Sequence, residues 1–158
     1  MPDSDLLSKH LPMVYRTAWM LTGNEADAED LAHDTMVSAL TSLGRFRGES
    51  KLSTWLTAIL INRHRTWKRS REVRSRVRPD LRESSAPPDE VQRGEEEAAV
   101  RRALERLDDD QRTLVALSVY QGLDSTEIGR ILGRPPGTVR WKLHEAREKL
   151  KSLFLEKR

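Results

Sequence analysis

The chain is 158 residues long, with 37% hydrophobic, 5% aromatic and 34% charged side chains. This length fits one ordinary domain or two small ones, and the apolar content suffices for small helical cores. There is no cysteine, which excludes disulfide scaffolds, zinc–thiolate sites and thiol catalysis. No apolar run approaches the length of a membrane span, and the N-terminal stretch lacks the features of a secretory signal. We therefore expect a soluble, intracellular, mostly helical protein without membrane insertion.

The net charge of +3 is the sum of four blocks that alternate in sign. Residues 1–44 carry −5, residues 45–82 carry +9, residues 83–110 carry −6 and residues 111–158 carry +5. Two basic surfaces separated by acidic ones predict two contacts with a polyanion, together with acidic faces for a basic partner. Solvated helix faces are the alternative interpretation.

Three helices are predicted in the first half of the chain. The first ends at Gly23, Asn24 caps the second, which runs to about Leu43, and the third begins near Ser50 after a glycine-containing loop. The predicted core residues are Leu7, Leu11, Val14, Tyr15, Ala18 and Trp19 in the first helix, Leu31, Thr35, Ala39 and Leu40 in the second, and Leu52, Trp55, Leu56, Ile59, Leu60 and Trp67 in the third.

Residues 72–96 combine three prolines with many polar and charged side chains and almost no apolar ones. Such a segment buries too little apolar surface to offset its ordering entropy, so we predict a flexible linker. Beyond it, Asp108 and Gln111 have the spacing of a capping box and begin a helix that ends near Gly122. The predicted core residues here are Ala99, Val100, Ala103, Leu104, Leu107, Leu114, Val115, Leu117 and Ser118. The predicted fold is all-α, with two small helical modules on a tether.

The most specific pattern in the chain is that of a helix-turn-helix. Asp124 and Glu127 predict a second capping box, Gly129 a close approach of another helix, and Gly133 a left-handed helix stop. Pro135 and Pro136 then begin a helix whose predicted buried residues are Val139, Leu143, Ala146 and Leu150. A helix-turn-helix places the N-terminal part of its second helix in the DNA major groove, whereas an ordinary helical hairpin is the alternative.

The outward face of this last helix has the chemistry of DNA binding. Arg140 and Arg147 can bind guanine O6 and N7 or phosphates, and the backbone amides near Gly137 and Thr138 can hold a phosphate. Which arginine contacts a base stays open at this level. The residues predicted to point outward are Thr138, Arg140, Trp141, Lys142, His144, Glu145 and Arg147.

A second basic surface is predicted on the third helix and the loop before it. Asn62 can contact a base edge, basic residues around it can neutralise phosphates, and the loop can hold an unstacked base. A solvated basic helix end is the alternative. The predicted stripe, placed opposite Trp55 and Leu56, comprises Thr54, Ala58, Asn62, Arg65 and Arg69.

Three motifs in this order resemble the extracytoplasmic-function (ECF) sigma factors of bacterial RNA polymerase. They are DAEDLAHDTMVSAL (27–40), FRGESKLSTWLTAILINRHRTWKR (46–69) and LDDDQRTLVALSVYQGLDSTEIGRILGRPPGTVRWKLHEAREKL (107–150). The resemblance implies sigma region 2 over residues 1–71, a linker over 72–96 and sigma region 4 over 97–158. It implies an alternative sigma factor that binds core polymerase and promoter DNA in the bacterial cytoplasm. An anti-sigma factor is expected to hold it inactive and to sequester it at the membrane.

The resemblance also assigns roles to matched positions. Asp30, His33 and Asp34 are expected to contact the clamp helices of the polymerase's largest subunit, and the flap of the second-largest subunit is a further expected contact. For the −10 element, the expected DNA-binding residues are Arg45, Arg47, Ser50, Lys51, Thr54, Asn62, Arg63, Arg65 and Arg69. For the −35 element, they are Pro136, Gly137, Thr138, Arg140, Trp141, Lys142, His144 and Arg147.

Three residues depart from the family's usual pattern. His33 stands where glutamine is usual, and we interpret it as a substitution rather than as a pH switch. Trp141 stands where the family has small or polar residues, and it can stack on a sugar or a thymine methyl group or pack on the polymerase. Glu145 stands where basic residues are commoner, so no −35 consensus carries over.

Two other classes of protein fit the sequence less well. No catalytic triad spacing, phosphate-binding glycine loop or metal motif is present, and the four histidines are scattered, so we predict no enzymatic activity, no cofactor and no metal. A stand-alone helix-turn-helix regulator is the alternative to a sigma factor. It would explain the second module but neither the acidic helix nor the loop with aromatic residues in the first.

Overall fold

A computed structural model describes residues 4–77 and 94–155, and within these ranges every regular element is helical. The helices are α1 (Ser4–Lys9), α2 (Leu11–Thr22), α3 (Glu25–Ser42), α4 (Leu52–Val77), α5 (Gly94–Glu105), α6 (Asp109–Val115), α7 (Ser125–Leu132) and α8 (Pro136–Leu155). A 3₁₀ turn follows α3, and a π turn over Ala116–Tyr120 follows α6. One compact unit is built mainly from α1–α4 and a second mainly from α5–α8. The all-α fold with two helical modules is confirmed.

The first unit is organised around the packing of α3 against α4 and α1. Asn24 caps α3 as predicted, because its Oδ1 accepts a hydrogen bond from the Asp27 backbone N–H at 2.9 Å. Leu31, Thr35 and Ala39 are buried on the inner side of α3. The buried Thr35 hydroxyl donates to the Leu31 carbonyl at 2.7 Å, so this polar group is satisfied inside the core.

Two predicted core residues of the first unit lie at the surface. Leu11 is 46% exposed and Leu40 is 50% exposed. The first predicted helix is in fact two helices that break at His10, because Pro12 has no backbone N–H and fits the first turn of a new helix rather than the interior of a long one. Leu40 follows the buried Ala39, and a step of one residue along α3 rotates the side chain by about 100° toward solvent.

Helix α4 is longer than predicted. It continues to Val77, so the first six residues of the predicted linker, 72–77, are helical. Arg71 anchors α4 just before this extension, since its Nη1 lies 3.1 Å from Asp27 Oδ2 and its guanidinium lies 5.1 Å from the centre of the Trp67 ring. Trp67 in turn stacks on the buried His64, at 5.9 Å between ring centres. The remainder of the predicted linker up to α5, residues 78–93, lies outside the described residues.

The second unit surrounds a core that includes Leu104, Leu107, Leu114, Leu117 and Ile128. Both predicted capping boxes are present, at the N-termini of α6 and α7. One core prediction is wrong here, since Val100 is 41% exposed, and the predicted core residues Ala99 and Ser118 are half-buried. Helix α6 also ends earlier than predicted, because the chain changes to a π turn at Ala116. No helix in the described part of the chain has the length and hydropathy needed to cross a membrane.

Candidate nucleic-acid interface

The conformation of the turn between α7 and α8 depends on two glycines, Gly129 and Gly133. Gly133 closes α7 in the left-handed region, with φ +70° and ψ +40°, as predicted. The next backbone N–H, that of Arg134, donates to the Gly129 carbonyl at 2.9 Å. A Cβ on Gly129 would lie 2.5 Å from the Arg134 carbonyl oxygen, so the close approach here is to the turn and not to a crossing helix as predicted. Together these residues set where α8 begins.

Helix α8 has one buried side and one exposed side. Val139, Leu143 and Ala146 are buried, as predicted, while Leu150 is half-buried. The exposed side carries polar, basic and aromatic groups, and Trp141 is 61% exposed. Of the residues predicted for the −35 contact, Gly137, Thr138, Arg140, Trp141, His144 and Arg147 are exposed, and Pro136 and Lys142 are half-buried. Since α8 is amphipathic in this sense, its exposed side is available to a macromolecular partner.

Two of the predicted cations of α8 have partners inside the second unit. Lys142 Nζ lies 3.0 Å from Asp110 Oδ2, so the prediction that Lys142 points outward is wrong. Arg147 Nη2 donates to Ser118 Oγ at 3.1 Å. Asp110 is also held by Arg134, whose two terminal nitrogens each lie 2.7 Å from one carboxylate oxygen.

These contacts keep Asp110 ionised. The hydrogen bond from Arg134, followed by that from Lys142, lowers the pKa of Asp110 to about 2 against the opposing effect of burial. The same pairing raises the pKa of Arg134. Sequence reasoning missed this cluster because Asp110 is 24 residues from Arg134 and 32 from Lys142, far beyond the spacing of helical neighbours.

The loop before α4 is attached to that helix by an aromatic pair. The Phe46 and Trp55 rings lie 5.3 Å apart between centres and are tilted by 55°. Trp55 is half-buried. It lies seven residues before Asn62, which is close to two helical turns, so both residues are on the same side of α4. The prediction that Trp55 lies opposite the polar stripe is therefore wrong. The predicted loop residues Arg45, Arg47, Ser50 and Lys51 are all exposed.

The basic surface of α4 is exposed along much of its length. Among the predicted −10 residues on this helix, Asn62, Arg63, Arg65 and Arg69 are exposed, and Thr54 is half-buried. On the opposite side of α4, Leu56, Leu60 and Ile61 are buried in the core. An exposed row of guanidinium groups beside an amide side chain can neutralise phosphates and contact a base edge.

The acidic surface lies on the outer side of α3. Asp30, His33 and Asp34 are exposed, and their spacing places them on one face of the helix. Two apolar residues continue this face toward the C-terminus, since Val37 is 46% and Leu40 is 50% exposed. Neither was predicted at the surface, and the spacing of Asp30, Asp34 and Val37 is the signal that could have placed Val37 there.

Comparison with known proteins places this architecture in a family. The Sigma-70 region 2 model matches residues 6–74, and the Sigma-70 region 4 model matches residues 97–150. The chain is 32% identical over 157 residues to RNA polymerase sigma factor CarQ of Myxococcus xanthus, covering 96% of this chain and 88% of CarQ. It is 31% identical over 149 residues to ECF RNA polymerase sigma factor SigM of Mycobacterium tuberculosis, covering 94% and 75%.

A solved structure has the same fold. The sigma factor RpoE of Bartonella quintana, crystallised with the anti-sigma factor NepR, matches with a TM-score of 0.85 at 27% identity, covering 98% of this chain and 97% of RpoE. The sequence relatives and this structure agree with both family models. The chain therefore belongs to the ECF sigma factors of bacterial RNA polymerase, and it is an alternative sigma factor that directs transcription.

Proposed function

We propose that this sigma factor docks on core RNA polymerase through the outer face of α3 and contacts promoter DNA through α4, its preceding loop and α8. The observation that carries the proposal is the separation of charge within the first unit. Exposed carboxylates occupy α3, whereas exposed guanidinium groups occupy α4 and the loop. A surface of each sign fits one basic protein partner and one polyanion.

The polymerase contact is assigned to Asp30, His33 and Asp34, facing the clamp helices of the largest subunit. Val37 and Leu40 extend this face with apolar area that a protein partner would cover. Charged groups supply orientation and association rate, and the apolar residues supply area removed from water. Region 4 is assigned a further contact, with the flap of the second-largest subunit.

The −10 contact is assigned to the loop and the exposed side of α4. The Phe46–Trp55 pair holds the loop against the helix, so cations of both segments can surround an unstacked base and its phosphates. The polymerase supplies the chemistry of transcription, and this chain supplies promoter recognition and melting. The residues assigned are Arg45, Arg47, Ser50, Lys51, Thr54, Asn62, Arg63, Arg65 and Arg69.

The −35 contact is assigned to the exposed side of α8 in the major groove. The N-terminus of α8 offers the backbone N–H groups of Gly137 and Thr138 to a phosphate, and the side chains that follow face the base edges. Lys142 is left out of this set, because Asp110 holds its ammonium group. The remaining residues assigned are Thr138, Arg140, Trp141, His144 and Arg147.

The two DNA-binding regions are assigned to residues 1–71 and 97–158, joined by a tether over 72–96 that includes the helical end of α4.

An anti-sigma factor is assigned as the inhibitor, which is supported by the NepR complex of the Bartonella relative. Exposed apolar residues such as Val37, Leu40 and Tyr120 offer it area to cover. The site of action is the bacterial cytoplasm, with sequestration at the membrane while the inhibitor is bound.

The test is reconstitution with sigma-free core polymerase, scored by run-off transcription across a promoter library. The wild-type chain should give promoter-specific transcripts, and Asp30→Ala/Asp34→Ala should lose both core binding and transcription. Asp5→Ala/Glu72→Ala is the matched control, since it removes two exposed carboxylates from the same unit. Wild-type activity in the Asp30/Asp34 variant would refute the docking face. No core binding by the wild-type chain, together with tight binding to one duplex sequence, would favour the stand-alone regulator.

A further inference from the structure

A single carboxylate on α6 joins the turn of the helix-turn-helix to its second helix, α8. Asp110 receives both terminal nitrogens of Arg134, in the turn, at 2.7 Å each, and the ammonium of Lys142, on α8, at 3.0 Å. The side chains of Asp110, Arg134 and Lys142 are 37%, 30% and 37% exposed. We name these three residues the Asp110 cluster. It lies on the flank of α8, between its buried and exposed sides.

The geometry decides how much positive charge this flank offers to DNA. A bidentate carboxylate–guanidinium pair is stronger and more rigid than a single contact, so Arg134 is held in one orientation. Because Asp110 is ionised over the physiological pH range, the cluster carries one negative and two positive charges. Its net charge is therefore that of one cation, because the carboxylate offsets one of the two positive charges.

We propose that Asp110 is a positioning residue for promoter recognition, which withholds Arg134 and Lys142 from DNA phosphates and so keeps sequence-independent binding by region 4 weak. Non-specific affinity for DNA is set by the number of phosphates neutralised, whereas base contacts carry the sequence preference. With two flanking cations withheld, recognition depends more on the exposed side chains of α8, including Arg140 and Trp141. The inference rests on the proposed −35 role of α8.

The test measures the salt dependence of binding to a duplex of arbitrary sequence, by fluorescence anisotropy with the full chain. Asp110→Asn keeps the side-chain shape and removes its charge. Each cation that gains a phosphate adds about 0.9 to the slope of log K against log salt, so the variant should be steeper by about 1 to 2. Its non-specific affinity at low salt should rise. A purely structural role of Asp110 predicts weaker binding without a steeper slope.

Two variants separate the release of these cations from a general change in charge. Glu105→Gln removes one negative charge from an exposed position of α5 in the same unit, and its slope should equal that of the wild type. Asp110→Asn/Lys142→Gln should lose about 0.9 of the gain, because one released cation is gone. Circular dichroism of each variant at the assay temperature checks that α5–α8 stay folded.

The outcomes separate this inference from the proposed function beneath it. If the wild-type chain binds and Asp110→Asn has the wild-type slope, the withholding role is refuted while the −35 role stands. Absence of binding by every variant at the lowest salt would contradict DNA binding by α8 itself. If Asp110→Asn unfolds, the single variant Lys142→Gln tests the inference. A slope equal to that of the wild type supports the inference. A slope lower than that of the wild type by about 0.9 shows that Lys142 already contacts a phosphate, which overturns the inference.

Discussion

Replacing Gly129 by alanine should disrupt the helix-turn-helix more than any other glycine-to-alanine change at an ordinary backbone conformation. The added Cβ would lie 2.5 Å from the Arg134 carbonyl oxygen, whereas ordinary contacts begin near 3.4 Å. About 0.9 Å of movement is therefore required. The opposing atom is backbone, and Arg134 is held there both by its hydrogen bond to Gly129 and by Asp110. We expect a cost near the upper end of the overpacking range, about 3 kcal/mol.

Thermal unfolding followed by circular dichroism measures this cost. For a unit of about 60 residues, each kcal/mol lowers Tm by roughly 4–8 °C, so the transition of α5–α8 should fall by about 12–24 °C. Hydrogen exchange of peptides from α7 and α8 assigns the transition to that unit. Duplex DNA binding should be lost in parallel, because the start of α8 moves.

Gly44→Ala is the matched control for this substitution. Gly44 has nothing within 4 Å of its added Cβ and has no positive φ, so alanine there should leave Tm unchanged or raise it slightly. If the Tm of Gly129→Ala equalled that of Gly44→Ala, the turn would be shown to adjust without loss of stability. The argument that only glycine permits this approach would then be refuted.

Three further predictions concern contacts between elements. Because the pKa of Asp110 is lowered from 3.8 to about 2, its carboxylate stabilises the fold above pH 4 and this contribution disappears as pH falls toward 2. Given its exposure, we expect Asp110 to contribute a loss of about 1 kcal/mol or less, so urea unfolding at pH 7 and pH 3 should show a loss larger by this amount for the wild type than for Asp110→Asn. Arg71→Gln should cost about 0.5–1 kcal/mol and speed hydrogen exchange near Trp67, with unchanged exchange contradicting the anchoring role. Phe46→Ala should weaken binding of single-stranded −10 DNA and leave duplex −35 binding unchanged, whereas equal losses on both would contradict a local role for the loop.

Much of the second unit was predictable because its signals are local. The capping boxes at Asp108 and Asp124, the left-handed Gly133 and the buried side of α8 all depend on residues within four positions of one another. A side chain that bonds a backbone group three residues away needs no tertiary partner. The same holds for Asn24 at the start of α3. The resemblance to sigma factors was carried separately, by three motifs at residues 27–40, 46–69 and 107–150 in that order.

Other features depend on which helices pack together. The core predictions failed at Leu11, Leu40 and Val100, where an apolar side chain has the right residue type but faces solvent. Periodicity gives the spacing of an apolar stripe but not the exact rotation of the helix against its neighbour. Periodicity therefore does not reveal a helix break such as that at His10, nor an apolar stripe that is shifted from the core by one residue.

Local patterns in the sequence were enough to predict the helix-turn-helix, the caps of α3, α6 and α7, the alternation of acidic and basic segments, and the resemblance to a family. Two features became visible only in the folded protein: the continuation of α4 to Val77 past the anchored Arg71, and the turn of Lys142 toward Asp110. Both depend on residues that are far apart along the chain. Arg71 meets Asp27 across 44 residues and Lys142 meets Asp110 across 32, so these ion pairs exist only once the cores have brought their helices together.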